Sequence, residues 1–152
     1  MKTQLRFLLV LAITGCSLVA LSQTQVYGPT VSGRWTLSGS PYEIMDNIIV
    51  PYDSTLTIDA GVEIIFQGHY WFNVDGRILG MGTSSDSILF TAADPVIGWN
   101  AMLFNTSTGL SEFEYCIFEY SHCDISQGGG GAICCYMNEL NISHCSFKNN
   151  SL

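Results

Sequence analysis

A short motif recurs along this chain and constrains its fold more than any other feature. The motif is an apolar residue or Cys, then any residue, then Phe, and its four copies end at Phe66, Phe90, Phe118 and Phe147. The spacings between these rings are 24, 28 and 29 residues. One turn of a coiled parallel β-sheet needs two or three short strands and their corners, which is on the order of 20–30 residues. The recurrence therefore predicts a stack of similar turns.

Each copy of the motif predicts two inward-pointing side chains, because residues i and i+2 of a strand face the same side. Successive turns of such a stack lie about 4.8 Å apart. The Phe rings are therefore expected to form one internal ladder, with an Ile/Cys column beside it. The predicted structural ladder consists of Ile64, Phe66, Ile88, Phe90, Cys116, Phe118, Cys145 and Phe147.

The rest of the sequence favours an all-β fold. No segment has convincing helical periodicity, and short β-rich runs alternate with Gly, Asn, Asp and Ser. Two of the longer β-rich runs are Phe113–Phe118 and Leu140–Phe147, and Phe113 and Tyr115 are expected to belong to a different strand phase from Phe118. We predict a right-handed parallel β-helix, with an N-terminal cap at residues 23–46 and about four coils at residues 47–152. The coils are expected to be incomplete at the C-terminal end, because no capping element follows them. The alternative with similarly short strands is an antiparallel β-sandwich.

Two stretches resemble known proteins. Residues 31–91 contain, in this order, VSGRWTL, SPY, IVP, TLTI, AGV, IIF, VDG, LG, GT and ILFT. This order is similar to the entry coils of bacterial secreted proteins with the pectin-lyase-like parallel β-helix, although Ala60 stands where the usual corner has Pro. GGGAI at residues 129–133 and LNISHCSFKNN at residues 140–150 resemble the repeats of polymorphic outer-membrane proteins. The resemblance implies a fold and not one function, because this fold hosts lyases, glycosidases, adhesins and passive stalks.

The first 22 residues have the pattern of a signal peptide. Lys2 and Arg6 form a basic start, an apolar run follows, and small residues precede a cleavage site after Ser22. The alternative is a lipoprotein signal that ends at Cys16, which would become the lipidated first residue. Both interpretations predict export, either as a secreted or cell-surface protein or as one anchored to lipid through Cys16.

The charge of the chain excludes one class of partner. Cleavage after Ser22 removes two of the five basic residues and none of the 13 acidic ones, which leaves a net charge of −10. Such a surface repels the phosphate backbone, so no nucleic acid partner is expected. Ca²⁺ is compatible with the acidic balance, but no motif indicates it, and no cofactor is predicted. The acidic residues are interpreted as a solvated surface.

The Cys and His residues do not have the spacing of a zinc site. Five Cys remain after cleavage, and this odd number suits small apolar core residues better than a full disulfide framework. A disulfide between Cys116 and Cys145 stays an alternative to packing. His144 is expected to point outward if Cys145 points inward, and no metal site is predicted.

No catalytic residue is predicted within the chain. Polysaccharide lyases of the fold it resembles use a basic residue, and only Arg34, Arg77 and Lys148 remain after cleavage. Glycosidases need two carboxylates at a defined separation. Glu112, Glu114 and Glu119 are close in sequence, but they are expected to face solvent.

Three aromatic residues near predicted corners are the candidates for ligand binding. Tyr70, Trp71 and Trp99 could contact a glycan, because aromatic rings stack on sugar faces, although such rings also close solenoid cores. The sequence therefore predicts an exported structural or adhesive protein that contacts polysaccharide or cell-envelope components. The alternative is the N-terminal part of a polysaccharide lyase or glycoside hydrolase whose active site lies beyond residue 152.

Overall fold

The computed structural model describes residues 23–105, 109–124, 130–136 and 139–151. Within these ranges the protein is all-β, with 15 short strands and one 3₁₀ helix. The predicted signal peptide and Cys16 lie outside the described residues. Residues 23–46 form three strands and the 3₁₀ helix: β1 (Thr24–Val26), β2 (Gly33–Trp35), the 3₁₀ helix (Leu37–Gly39) and β3 (Tyr42–Ile44).

Four turns follow, each with three strands. The strands of the first two turns are β4 (Ile48–Val50), β5 (Thr55–Asp59), β6 (Glu63–Phe66), β7 (Phe72–Val74), β8 (Arg77–Met81) and β9 (Ile88–Ala92). The strands of the last two turns are β10 (Met102–Phe104), β11 (Ser111–Glu114), β12 (Cys116–Glu119), β13 (Ile133–Cys135), β14 (Leu140–Ser143) and β15 (Ser146–Lys148).

The strands of successive turns pair in parallel and form three sheets. Within the described residues, the four-stranded sheet has the order β13-β10-β7-β4, the five-stranded sheet β14-β11-β8-β5-β2, and the six-stranded sheet β1-β3-β6-β9-β12-β15. Each turn visits the three sheets in that order. The predicted parallel β-solenoid of about four turns is therefore confirmed, and the antiparallel sandwich is excluded because the strand pairings are parallel. Residues 23–46 also take part, because β1, β2 and β3 belong to the same sheets.

The core lies inside the coil and follows from the alternation of side chains along each strand. The burial pattern of β9 is buried at Ile88, Phe90 and Ala92 and only partly buried between them. Side chains of the three sheets meet in one continuous apolar cluster. Corners between strands are tight, and at Gly76 an added Cβ would overlap the carbonyl oxygens of Pro51 and Ser54. This position requires glycine because the backbone of the preceding turn passes directly against it.

Two of the predicted β-rich runs are each divided by a corner of one residue. Tyr115 separates β11 from β12 with a φ of 49°, and His144 separates β14 from β15 with a φ of 53°. The change of strand phase expected between Phe113 and Phe118 is the corner at Tyr115, where one left-handed residue turns the chain into the next sheet. The two corner rings stack on each other, with centroids 4.6 Å apart.

The internal ladder exists in the last three turns. Phe90 is opposite Phe118, and Phe118 is opposite Phe147. Their rings are stacked with centroid separations of 4.7 and 5.0 Å. In the neighbouring column Cys116 lies opposite Ile88, and the backbone N–H of Cys116 donates to the Cys145 thiol at 3.3 Å.

The register of the first turn is shifted by two residues relative to that ladder. Phe90 is opposite Ile64 and not Phe66, whose partner is Ala92. The reason is the corner before the third strand, which takes residues 60–62 in the first turn and residues 82–87 in the second. The predicted alignment of Phe66 with Phe90 was therefore wrong. The small Ala92 leaves room above Phe66, and the ring of Trp99 fills that space by stacking on Phe66.

Candidate functional site

A groove lies on the outer face of the four-stranded sheet. The middle residues of its strands point outward and form a column in register: Ile49, Asn73, Leu103 and Cys134. Their neighbours along each strand, such as Phe72 and Val74, point into the core and are buried. The period of two residues thus determines which side chains reach this surface.

The groove has a volume of about 370 Å³ and a mixed lining. Its apolar wall is formed by Ile49, Trp71 and Leu103, and its polar groups are Asn73, Asp75 and Asn105. Small-molecule sites commonly combine apolar surface with a few polar groups that fix the ligand's orientation. The groove therefore offers one aromatic ring, two amides and one carboxylate to a ligand.

A backbone hydrogen bond to the preceding turn and side-chain packing hold Trp71 at the edge of the groove. Its backbone N–H donates to the side-chain oxygen of Asn47 at 2.8 Å. Its side chain packs against a small cluster outside the main core, formed by Ala101, Cys123 and Cys134. The ring stays partly exposed, because the side chain covers the sheet's outer surface instead of entering the coil.

The structure does not bring the three predicted glycan-contact aromatics together. Trp71 lines the groove, whereas Tyr70 packs partly buried against the main core. Trp99 is fully buried, and its indole N–H donates to the carbonyl of Glu119 at 2.9 Å. The prediction of a glycan contact at Trp99 was wrong, because the space left by Ala92 draws this ring into the coil.

The basic residues of the described chain do not line the groove. The guanidinium of Arg34 donates to Asp59 at 2.7 Å. Arg77 donates to the carbonyl of Leu110 at 2.6 Å, and it lies 3.4 Å from a carboxylate oxygen of Glu112. Lys148 is in β15, on the six-stranded sheet.

The three glutamates expected to face solvent are only partly covered. Glu112 and Glu114 alternate with the buried Ser111 and Phe113 along β11. Glu119, on β12, accepts a hydrogen bond from the hydroxyl of Thr91 at 3.0 Å. They project from two different sheets, so the structure does not gather them around one cleft.

Four of the five thiols form two pairs, one at the main core and one in the small cluster outside it. Cys116 lies in the main core, and the partly buried Cys145 packs against it. Burial, followed by the proximity of Cys145, raises the pKa of Cys116 far above its ordinary value. Cys123 and Cys134 lie in the outer cluster beside Trp71. Burial, followed by the proximity of Cys134, raises the pKa of Cys123 to about 11. Within the described ranges, no three His, Cys, Asp or Glu side chains are grouped to hold a metal ion.

Sequence reasoning missed the polar side of the groove. Asn73, Asp75 and Asn105 were absent from the predicted site. Asp75 and Asn105 directly follow the corresponding strands β7 and β10 of successive turns. The signal that could have found them is register. Once the strands are aligned, Asn73 is opposite Leu103 and lies next to the predicted Trp71.

No protein-family model, curated protein or solved structure matches this chain. The parallel β-solenoid therefore follows from the sheet topology alone, and the resemblance to pectin-lyase-like proteins stays a prediction. In the part of the chain that the structure describes, no helix has the length and apolar character needed to cross a membrane.

Proposed function

We propose that this chain is an exported surface or extracellular β-solenoid that binds glycans in the groove beside Trp71. The single observation that carries the proposal is the composition of that groove, in which a partly exposed indole stands beside two amides and a carboxylate. A sugar ring has an apolar face that stacks on an aromatic ring and hydroxyl groups that bond to amides and carboxylates. Tryptophan suits this contact because its ring is large and rigid.

The rigidity of the four-stranded sheet also supports ligand binding in the groove. Asn73 and Leu103 are held in register by parallel strand pairing, and each is flanked by buried residues. Because their backbone positions are fixed before a ligand arrives, little conformational entropy is lost on binding. A repeated sheet also continues along the solenoid axis, which suits an extended polymer better than a single small molecule.

The charge of the groove indicates the class of glycan. Asp75 contributes a carboxylate, and no basic side chain of the described chain lines the groove. The whole chain has a formal net charge of −8. Uronate and sulfated polymers are therefore repelled, and we propose neutral or amino sugars as the ligands.

An array of neutral, amino and acidic oligosaccharides tests this proposal. The chain from residue 23 is expected to bind members of the first two classes and to ignore the acidic class. Trp71→Ala is expected to lose that binding. Tyr115→Ala is the aromatic control, because Tyr115 lies at the corner between the five- and six-stranded sheets. Binding restricted to acidic glycans, or unaffected by Trp71→Ala, would contradict the proposal.

A further inference from the structure

The side chains of Cys123 and Cys134 meet although their backbones belong to different parts of the fold. Cys123 follows the last bridge of the third turn, and its N–H donates to the carbonyl of Ser151 at 3.1 Å. Cys134 is the middle residue of β13 in the fourth turn. Both are buried, with 3% and 7% of their surfaces exposed, and they pack in the same small cluster with Ala101. The proximity of Cys134 contributes to the raised pKa of Cys123.

The neighbouring Cys135 is directed away from this contact. Cys134 shares the outer face of the sheet with Leu103, its partner in β10, whereas Cys135 is opposite the buried Phe104. Adjacent residues of a strand point to opposite faces, so only Cys134 faces Cys123. Of the two adjacent thiols, Cys134 is therefore the one positioned to react with Cys123.

We propose that Cys123 and Cys134 form a disulfide bond in the mature protein. The bond would join the end of the third turn to the first strand of the fourth and would make residues 123–134 a covalent ring. In the cell this inference rests on the proposed export, because disulfides persist in oxidising compartments. The chemistry itself is independent of glycan binding, since the thiols are positioned by the sheet and not by the groove.

The oxidant is a small-molecule disulfide such as oxidised glutathione. One cysteine thiolate attacks its sulfur–sulfur bond, which forms a mixed disulfide and releases one glutathione thiolate. The second cysteine then loses its proton and attacks the mixed disulfide, which forms the Cys123–Cys134 bond and releases the second glutathione. The two electrons reduce the glutathione disulfide, and the two cysteine protons end on the released thiols.

The bond would also affect the groove, because Trp71 packs against the cluster that contains Cys123 and Cys134. A covalent link between Cys123 and Cys134 holds two sides of the surface on which the indole rests. Attack by Cys123 is slow in the folded protein at neutral pH, because burial and the adjacent thiol raise its pKa to about 11. The bond is therefore expected to form during folding, and more quickly in mildly alkaline solution.

The test is to refold the chain from residue 23 in a glutathione redox buffer and to map the bonds by mass spectrometry. The sequence suits the map, because cleavage at Glu119, Asp124 and Glu139 places Cys116, Cys123 and Cys145 in separate peptides. A fourth peptide contains Cys134 and Cys135, and a Cys135→Ser variant distinguishes these two.

We expect a peptide pair linked through Cys123 and Cys134, the loss of two titratable thiols, and a higher denaturant midpoint than that of the reduced protein. Cys116→Ser is expected to keep the bond, and Cys123→Ser and Cys134→Ser to lack it. Circular dichroism of each variant verifies that the β-fold has formed. A refolded protein that keeps five thiols, or whose sole bond joins Cys116 to Cys145, would overturn the proposal. Neither result depends on whether the protein binds a glycan.

Discussion

The indole of Trp99 lies flat against the ring of Phe66, with centroids 4.6 Å apart and planes inclined by 9°. Both side chains are buried within the coil. This contact joins the first turn to the segment that leads into the third, and it occupies the space that Ala92 leaves. It also explains why Trp99 stabilises the fold and is unable to reach a ligand.

Trp99→Ala is expected to lower the free energy of unfolding by about 3–5 kcal/mol, because it removes a fully buried aromatic ring and leaves a cavity. Urea denaturation followed by circular dichroism measures the change. Val96→Ala is the control, because Val96 is 85% exposed and its truncation is expected to cost less than about 0.5 kcal/mol. Equal stability of the Trp99→Ala and Val96→Ala proteins would show that the Trp99 ring is not part of the core.

The position of a Phe in the ladder determines its contribution to stability. Phe118 is fully buried between Phe90 and Phe147, whereas Phe147 is 48% exposed. Phe118→Ala is therefore expected to cost about 3–5 kcal/mol and Phe147→Ala clearly less. Denaturant midpoints of the two variants, compared at equal slopes, test this order. A larger loss of stability in Phe147→Ala than in Phe118→Ala would contradict the central position of Phe118 in the ladder.

Gly76→Ala is expected to destabilise the protein by about 1–3 kcal/mol or to prevent folding. An added Cβ would overlap the carbonyl oxygens of Pro51 and Ser54, which are backbone atoms that cannot rotate away. Thermal unfolding measures the effect. A Gly76→Ala protein with the melting temperature of the wild type would mean that successive turns are farther apart at this corner.

The reduced protein is expected to lose stability as the pH rises from about 9 to 11. The pKa of Cys123 is 9.0 without the fold and about 11 within it, so the folded state holds its proton more tightly. The resulting stability is fully present below pH 9.0 and is lost as the pH rises through the folded pKa, by at most about 3 kcal/mol. Urea midpoints across this range, compared with those of Cys123→Ala, measure the difference. A wild-type profile parallel to that of Cys123→Ala would refute the shift.

The sequence predicted the period of the fold because burial repeats with it. The 29-residue spacing from Cys116 to Cys145 also relates Tyr115 to His144 and Phe118 to Phe147, so the last two strands of the third and fourth turns align as predicted. The first turn was misaligned because the length of a corner does not affect which residues are apolar. Phe66 looked equivalent to Phe90, although the register depends on residues 60–62 and 82–87, which only the backbone path reveals.

The site was less predictable than the fold for a similar physical reason. Trp71 and Trp99 have the same chemistry and both lie near corners, yet one is outside the coil and the other inside. The difference depends on Ala92, whose small side chain leaves a space only after the strands are in register. A change of strand phase before Phe118 was expected, but its position at Tyr115 was not, because a positive φ in a residue other than Gly has no clear sequence signal.

The central claim is that the groove beside Trp71 binds a neutral or amino glycan, and calorimetric titration with a ligand identified on the array tests it most directly. The account predicts that Trp71→Ala weakens binding about 10- to 100-fold, that Trp71→Phe restores part of the affinity, and that Tyr115→Ala leaves it unchanged. Each variant must first give the circular dichroism spectrum of the folded protein. Equal affinity of folded wild-type and Trp71→Ala proteins would contradict the account.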